Sequence, residues 1–123
     1  MRALYTLLIT LALPFALARL WWRGRRQPGY RQHIGERLGH YAALEDAAPL
    51  IWLHAVSVGE TRAAEPLLRA LREKYPAHRI LLTHMTPTGR ETGVALFGTE
   101  AANIVRCYLP YDYPRAVARF LDH

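Results

Sequence analysis

The chain has 123 residues and a formal net charge of +6 at neutral pH, enough for one domain at most. The whole excess lies at the N-terminus: residues 1–37 hold seven arginines against Glu36, and residues 38–123 hold nine basic and nine acidic side chains. This argues against a nucleic-acid-binding face spread over the fold and fits a negatively charged surface beside the N-terminus, such as anionic lipid headgroups.

Residues 3–18, "ALYTLLITLALPFALA", carry no charge and are followed by "RLWWRGRR". Sixteen uncharged residues fall slightly short of the ~20 that cross a bilayer core, but Arg19 can snorkel and Leu20, Trp21 and Trp22 extend the apolar length into an interfacial belt. A cleaved secretory signal would use Ala16-Leu17-Ala18 as its processing site. The arginines just beyond it oppose translocation, so the segment reads as an uncleaved membrane anchor over residues 1–22, with the rest on the cytoplasmic side. Residues 23–49 are polar, basic and glycine-containing, a linker with a short helix near Gln32–Leu38.

From residue 50 a regular alternation begins. Leu50–Val56 is an apolar run bounded by Pro49 and Gly59 and reads as a buried strand. Thr61–Tyr75 has Ala64, Leu67, Leu68 and Leu71 at helical spacing, with Arg69, Arg72, Glu73 and Lys74 facing outward. Pro66 must either sit in that helix's first turn or bend it. Arg79–Thr83 is a second strand, and Arg90–Phe97 a second helix stopped by Gly98. Asn103–Leu109 is a third strand, in which Cys107 reads as a buried thiol. As the single cysteine it excludes an internal disulfide and a cysteine-cluster metal site. Ala116, Val117, Phe120 and Leu121 begin a third amphipathic helix.

Strand–helix three times over is the pattern of a Rossmann-like parallel sheet, an α/β fold. Such sheets ordinarily carry five or six strands, so the chain is expected to be an N-terminal piece of a larger protein, with residues 50–123 an incomplete domain.

Ligands of open parallel sheets bind outside the carboxyl ends of the strands. Three loops are expected there: Ser57–Glu60, Thr86–Gly89 and Pro110–Asp112. Glu60 would stand at the start of the first helix, whose positive end favours a carboxylate. Two roles fit that position: a first-turn acid that merely stabilises the helix, or a general base, with Gly59 leaving space beside it. Asp112 suits a turn or an N-cap before Pro114, and Thr86 and Thr88 suit caps of the second helix. His54 reads as a hydrogen-bonded core histidine. His78 and His84 have no spacing partner for a metal, and no metal or cofactor is expected. "SVGE" is no dinucleotide fingerprint, which disfavours a nucleotide-binding module.

Several motifs in order, "GERLG" (35–39), "WLHAVSVGETRAAEPLLRAL" (52–71), "THMTPTGRE" (83–91), "LFG" (96–98) and "YLPYDYPRAVARFL" (108–121), resemble the start of the bacterial Kdo transferases. That family moves 3-deoxy-D-manno-octulosonic acid (Kdo) from CMP-Kdo to the lipid A precursor of lipopolysaccharide. The resemblance implies the N-terminal, acceptor-side domain of a GT-B glycosyltransferase, behind a helix anchored in the bacterial inner membrane. It also implies that Glu60 is the general base. Ser57, Gly59, Thr88, Gly89 and Arg90 become candidates for shaping the acceptor side or, for Arg90, binding its phosphates. The CMP-sugar would be held by a C-terminal domain absent from this chain, so the chain alone is expected to be inactive. The competing expectation is a membrane-anchored, non-catalytic interaction module that retains the fold.

Overall fold

The computed structural model describes residues 1–44, 48–98 and 102–122. In chain order these form α1 (Arg2–Arg23), a 3-10 turn (Pro28–Arg31), α2 (Ile34–Arg37), β1 (Leu50–His54), α3 (Val58–Lys74), β2 (Arg79–His84), α4 (Pro87–Phe97), β3 (Ile104–Tyr108) and α5 (Pro114–Leu121). They divide into two compact units, residues 44–109 and residues 1–43 with 110–122.

The first unit is an α/β layer. Its three strands are all parallel, in the order β1-β2-β3, with Leu53 opposite Leu82 and Leu82 opposite Arg106. Side chains alternate across a strand, so Ile51, Leu53 and Ala55 share a face with Ile80, Leu82 and Ile104. These residues pack with Ala64, Leu68 and Leu71 of α3 and with Leu96 and Phe97 of α4. Both crossover helices therefore cover the same face, as two crossovers of one hand must when strands are added in one direction. Leu68, Ile80 and Leu82 are completely enclosed, each worth about 1.5–3 kcal/mol of apolar burial.

The sequence pattern places these elements correctly and misplaces several ends. β1 stops at His54 rather than Val56, although Ala55 and Val56 still bond through their backbones to Thr83 and Met85. α3 starts at Val58, three residues before the periodic stretch, since a first helical turn needs no intrahelical N–H partners. Pro66 thus lies inside the helix and not in its first turn. Leu67, expected to face inward, is 51% exposed. His84 belongs to β2, and α4 begins at Pro87.

The other unit holds α1, a 22-residue helix about 33 Å long at 1.5 Å per residue. It is long and apolar enough to cross a membrane, with little of its surface buried and Pro14 within it. Cations gather on aromatic rings at its C-terminal end: the Arg23 guanidinium stands 4.8 Å from the Tyr30 ring, and those of Arg25 and Arg31 stand 5.5 and 4.4 Å from Trp21. The expected linker helix shrinks to α2 and the preceding 3-10 turn, and residues 45–47 of that linker lie outside the described residues. Gly39 adopts φ +83°, and a Cβ there would collide with the Ala116 backbone, so the chain leaving α2 can cross α5 closely only as glycine. Arg119 donates to the Leu38 carbonyl at 3.2 Å across the same crossing. Asp112 is not the N-cap of α5; Tyr113 holds that position, and the Asp112 carboxylate accepts from the Tyr5 hydroxyl.

Candidate functional site

Two of the three expected loops converge at the carboxyl ends of β1 and β2; residues 110–112 belong to the other unit. The first loop is pinned to the second by its backbone. The Ala55 N–H donates to the Thr83 carbonyl at 2.9 Å, and the Met85 N–H to the Val56 carbonyl at 3.3 Å. Gly89 completes the junction: a Cβ there would stand 3.0 Å from Thr86 Oγ1 and 3.3 Å from the Ser57 backbone, so a side chain would push α4 and the β1 loop apart by a few tenths of an ångström.

Glu60 occupies the third position of α3, after Ser57, the N-cap residue, whose own side chain makes no cap bond. Its Oε2 reaches back to accept the Val56 N–H at 2.7 Å. Among the described residues Oε1 has no hydrogen-bond partner, and the side chain is exposed. The carboxylate is thus held through one oxygen, at the positive end of a 17-residue helix, while the other faces outward. Gly59 precedes it with nothing within 4 Å of where a Cβ would be.

Thr86 is the N-cap of α4, its Oγ1 accepting the Gly89 N–H at 3.2 Å. Thr88 does not cap the helix as expected; it is exposed and its hydroxyl points to Thr86 Oγ1 at 3.5 Å. The Arg90 guanidinium lies 5.0 Å from the centre of the buried Tyr108 ring, which fixes it beside the first turn of α4. Arg106, whose Nη2 donates to the Gly98 carbonyl at 2.8 Å, has its pKa lowered by burial and then by the charge of Arg90. The candidates Ser57, Gly59, Glu60, Thr88, Gly89 and Arg90 therefore lie on two adjoining helix starts.

His54 is not a core residue: it is exposed, and its Nδ1 shares Thr83 Oγ1 at 2.9 Å, with Trp52 Nε1 donating to the same oxygen at 3.0 Å. The residue sequence reasoning missed is His84. It is fully buried, with Nδ1 3.0 Å from the Ala55 carbonyl and 3.4 Å from Thr61 Oγ1. Burial, first of all, lowers its pKa to about 4, with the charges of Arg90, Arg106 and His54 acting the same way and the bond to Ala55 opposing. Its partners are 29 and 23 residues away in sequence, and no local spacing signals them. Among the described residues, no group of three or more His, Cys, Asp or Glu side chains converges as metal ligands would.

Comparison with known proteins follows the same lines. The chain is 42% identical to a 3-deoxy-D-manno-octulosonic acid transferase of Bordetella pertussis and 38% identical to one of Haemophilus influenzae, each over 98% of its own length. It is 34% identical, over 83% of its length, to a probable mitochondrial 3-deoxy-D-manno-octulosonic acid transferase of Arabidopsis thaliana. It spans only 29%, 28% and 22% of those three proteins. No solved structure matches it. The family profile described as 3-Deoxy-D-manno-octulosonic-acid transferase (kdotransferase) matches residues 32–123, and the chain belongs to that family.

Proposed function

We propose that this chain is the acceptor-side part of an inverting glycosyltransferase that moves Kdo from CMP-Kdo to the lipid A precursor. In this reading residues 1–22 anchor it in the bacterial inner membrane, and residues 23–49 are a basic linker on the cytoplasmic side. Residues 50–123 are part of the Rossmann-like, acceptor-binding domain of a GT-B enzyme. The arginines around Trp21 and Tyr30 would meet anionic headgroups, to which each contributes about 1 kcal/mol near a charged membrane surface.

The observation that carries the reading is the half-held carboxylate of Glu60. Its bonded oxygen fixes the group and its outward oxygen is available to a hydroxyl. A general base needs both properties. Glu60 takes the proton from the acceptor hydroxyl as that oxygen forms a bond to the anomeric carbon of Kdo. The bond from that carbon to the CMP phosphate breaks on the opposite face, CMP leaves with the electron pair, and configuration inverts. Gly59 keeps space open beside the carboxylate, and Ser57, Thr88 and Gly89 shape the wall of the two helix starts. Arg90, steadied by Tyr108, offers a charge-assisted donor to an acceptor phosphate. The contacts to CMP-Kdo would come from the length of the relatives that this chain does not cover, so the 123 residues alone are inactive in this reading.

The test is Glu60→Gln in a chimera joining this chain to the remaining part of a family member. Loss of a general base predicts kcat lowered by about 10²–10⁴ with acceptor affinity held within about threefold. Transfer at the parent rate would remove Glu60 from this role. An active parent chimera is itself the control: if it retains lipid binding but never transfers Kdo, the non-catalytic, membrane-anchored module becomes the better description.

A further inference from the structure

The peptide unit between Ala55 and Val56 is bonded at both edges. On one edge its N–H donates to Glu60 Oε2 at 2.7 Å. On the other its carbonyl faces His84 Nδ1 at 3.0 Å. A carbonyl only accepts, so Nδ1 carries the proton and donates. The neighbouring hydroxyl agrees: Thr61 Oγ1 gives its single proton to the Ser57 carbonyl at 2.8 Å, leaving only acceptor capacity toward His84 at 3.4 Å. Nε2 is buried with no hydrogen-bond partner among the described residues, so a second proton there would meet no acceptor. His84 is thereby held in one tautomer.

We propose that His84 is a positioning residue for Glu60, acting through the Ala55–Val56 peptide. Its N–H fixes the tilt of that peptide plane, and hence the direction of the N–H that holds the carboxylate. Donation into the carbonyl also polarises the amide, so the Val56 N–H becomes a stronger donor to Glu60. His84, at the end of β2, thus ties the base on α3 to the centre of the sheet without touching substrate. The inference rests on the reading of Glu60 as general base for its kinetic consequence, but not for its structural one.

The experiment uses two variants and two readouts. His84→Leu removes the donor. His84→Asn keeps it, because the Asn amide nitrogen falls where Nδ1 was. In the 123-residue chain in detergent micelles, exchange of the Val56 amide proton is expected to quicken about tenfold or more in His84→Leu and to return near the parent rate in His84→Asn. In the chimera, kcat is expected to fall about tenfold or more in His84→Leu with acceptor KM within about twofold, and to recover in His84→Asn. Unchanged Val56 exchange in His84→Leu overturns the proposal. Equal losses of kcat in both variants also overturn it, since volume and not the donor would then matter. If His84→Leu does not fold, His84→Gln, whose amide nitrogen falls at the Nε2 position, replaces it in the same comparison. Should Glu60→Gln leave transfer intact while Val56 exchange responds as stated, the reading of Glu60 fails and the positioning of its side chain by His84 stands.

Discussion

Helices α3 and α4 begin side by side at the same end of one sheet, and they begin differently. α4 is closed in the ordinary way: Thr86 caps it, Pro87 fills the first turn where a missing N–H costs nothing, and Gly89 seats it against the neighbouring loop. At α3 the cap residue Ser57 contributes no side-chain bond, and Glu60 reaches back past it to the Val56 N–H, which lies before the helix. A neutral hydroxyl would stabilise that helix start as well. In the proposed reading the carboxylate at the start of α3 is the base, and the start of α4 supports it and lines the acceptor side. Each prediction below breaks one of the two.

The largest effect expected on stability comes from the link between them. His84 has an ordinary pKa near 6.5 in the unfolded chain, and burial brings it to about 4 in the fold. Well above pH 6.5 it is neutral in both states and contributes no pH dependence. Between pH 6.5 and 4 the unfolded chain binds a proton that the folded chain does not, so stability falls as the pH falls, by about 2–3 kcal/mol at the lower limit. His84→Asn, which cannot titrate, should flatten this slope. Urea midpoints followed by tryptophan fluorescence at pH 7 and pH 4.5 measure it, and an equal slope in parent and variant would contradict it.

The way these features could be read from sequence differs in kind. Strands and helices follow from apolar periodicity, which is local, and all three strands and their three following helices are where the pattern puts them. Their ends are not local. α3 reaches back to Val58, and there Glu60 folds back onto the Val56 N–H, an arrangement that helical spacing from Thr61 onward cannot reveal. His54 and His84 exchange roles for a similar reason. Alternation along β1 does not say which face the helices cover, and it is α3 and α4, through Thr61 and Gly93, that cover the face carrying His84 and leave His54 on the other. Glu60 was legible as a first-turn acid, whereas the peptide that joins it to His84 exists only once β1 and β2 are paired.

Gly89→Ala attacks the supporting end. The new methyl group would meet the Ser57 backbone at 3.3 Å, and backbone cannot yield as a flexible side chain does. A helical Gly→Ala change ordinarily gains up to about 1 kcal/mol, so a net loss of about 1 kcal/mol is expected once the overpacking is included. Because Ser57 follows Val56, the chimera should lose kcat as well. A stabilised variant with full kcat would show that α4 does not set the position of the β1 loop.

Gly59→Ala is the counterpart at the start of α3, and the smallest change. Nothing lies within 4 Å of the added methyl group and the backbone there is already helical, so Ala should stabilise the fold by about 0.5 kcal/mol. On stability alone the glycine is a disadvantage. If the acceptor hydroxyl reaches the outward oxygen of Glu60 over this position, the same methyl group enters its path, and acceptor KM rises several-fold while the urea midpoint rises too. Opposite movement of the two quantities would identify the empty space beside Glu60 as substrate space. A higher midpoint with unchanged KM would place the acceptor's approach on the other side of the carboxylate, toward Thr88 and Arg90.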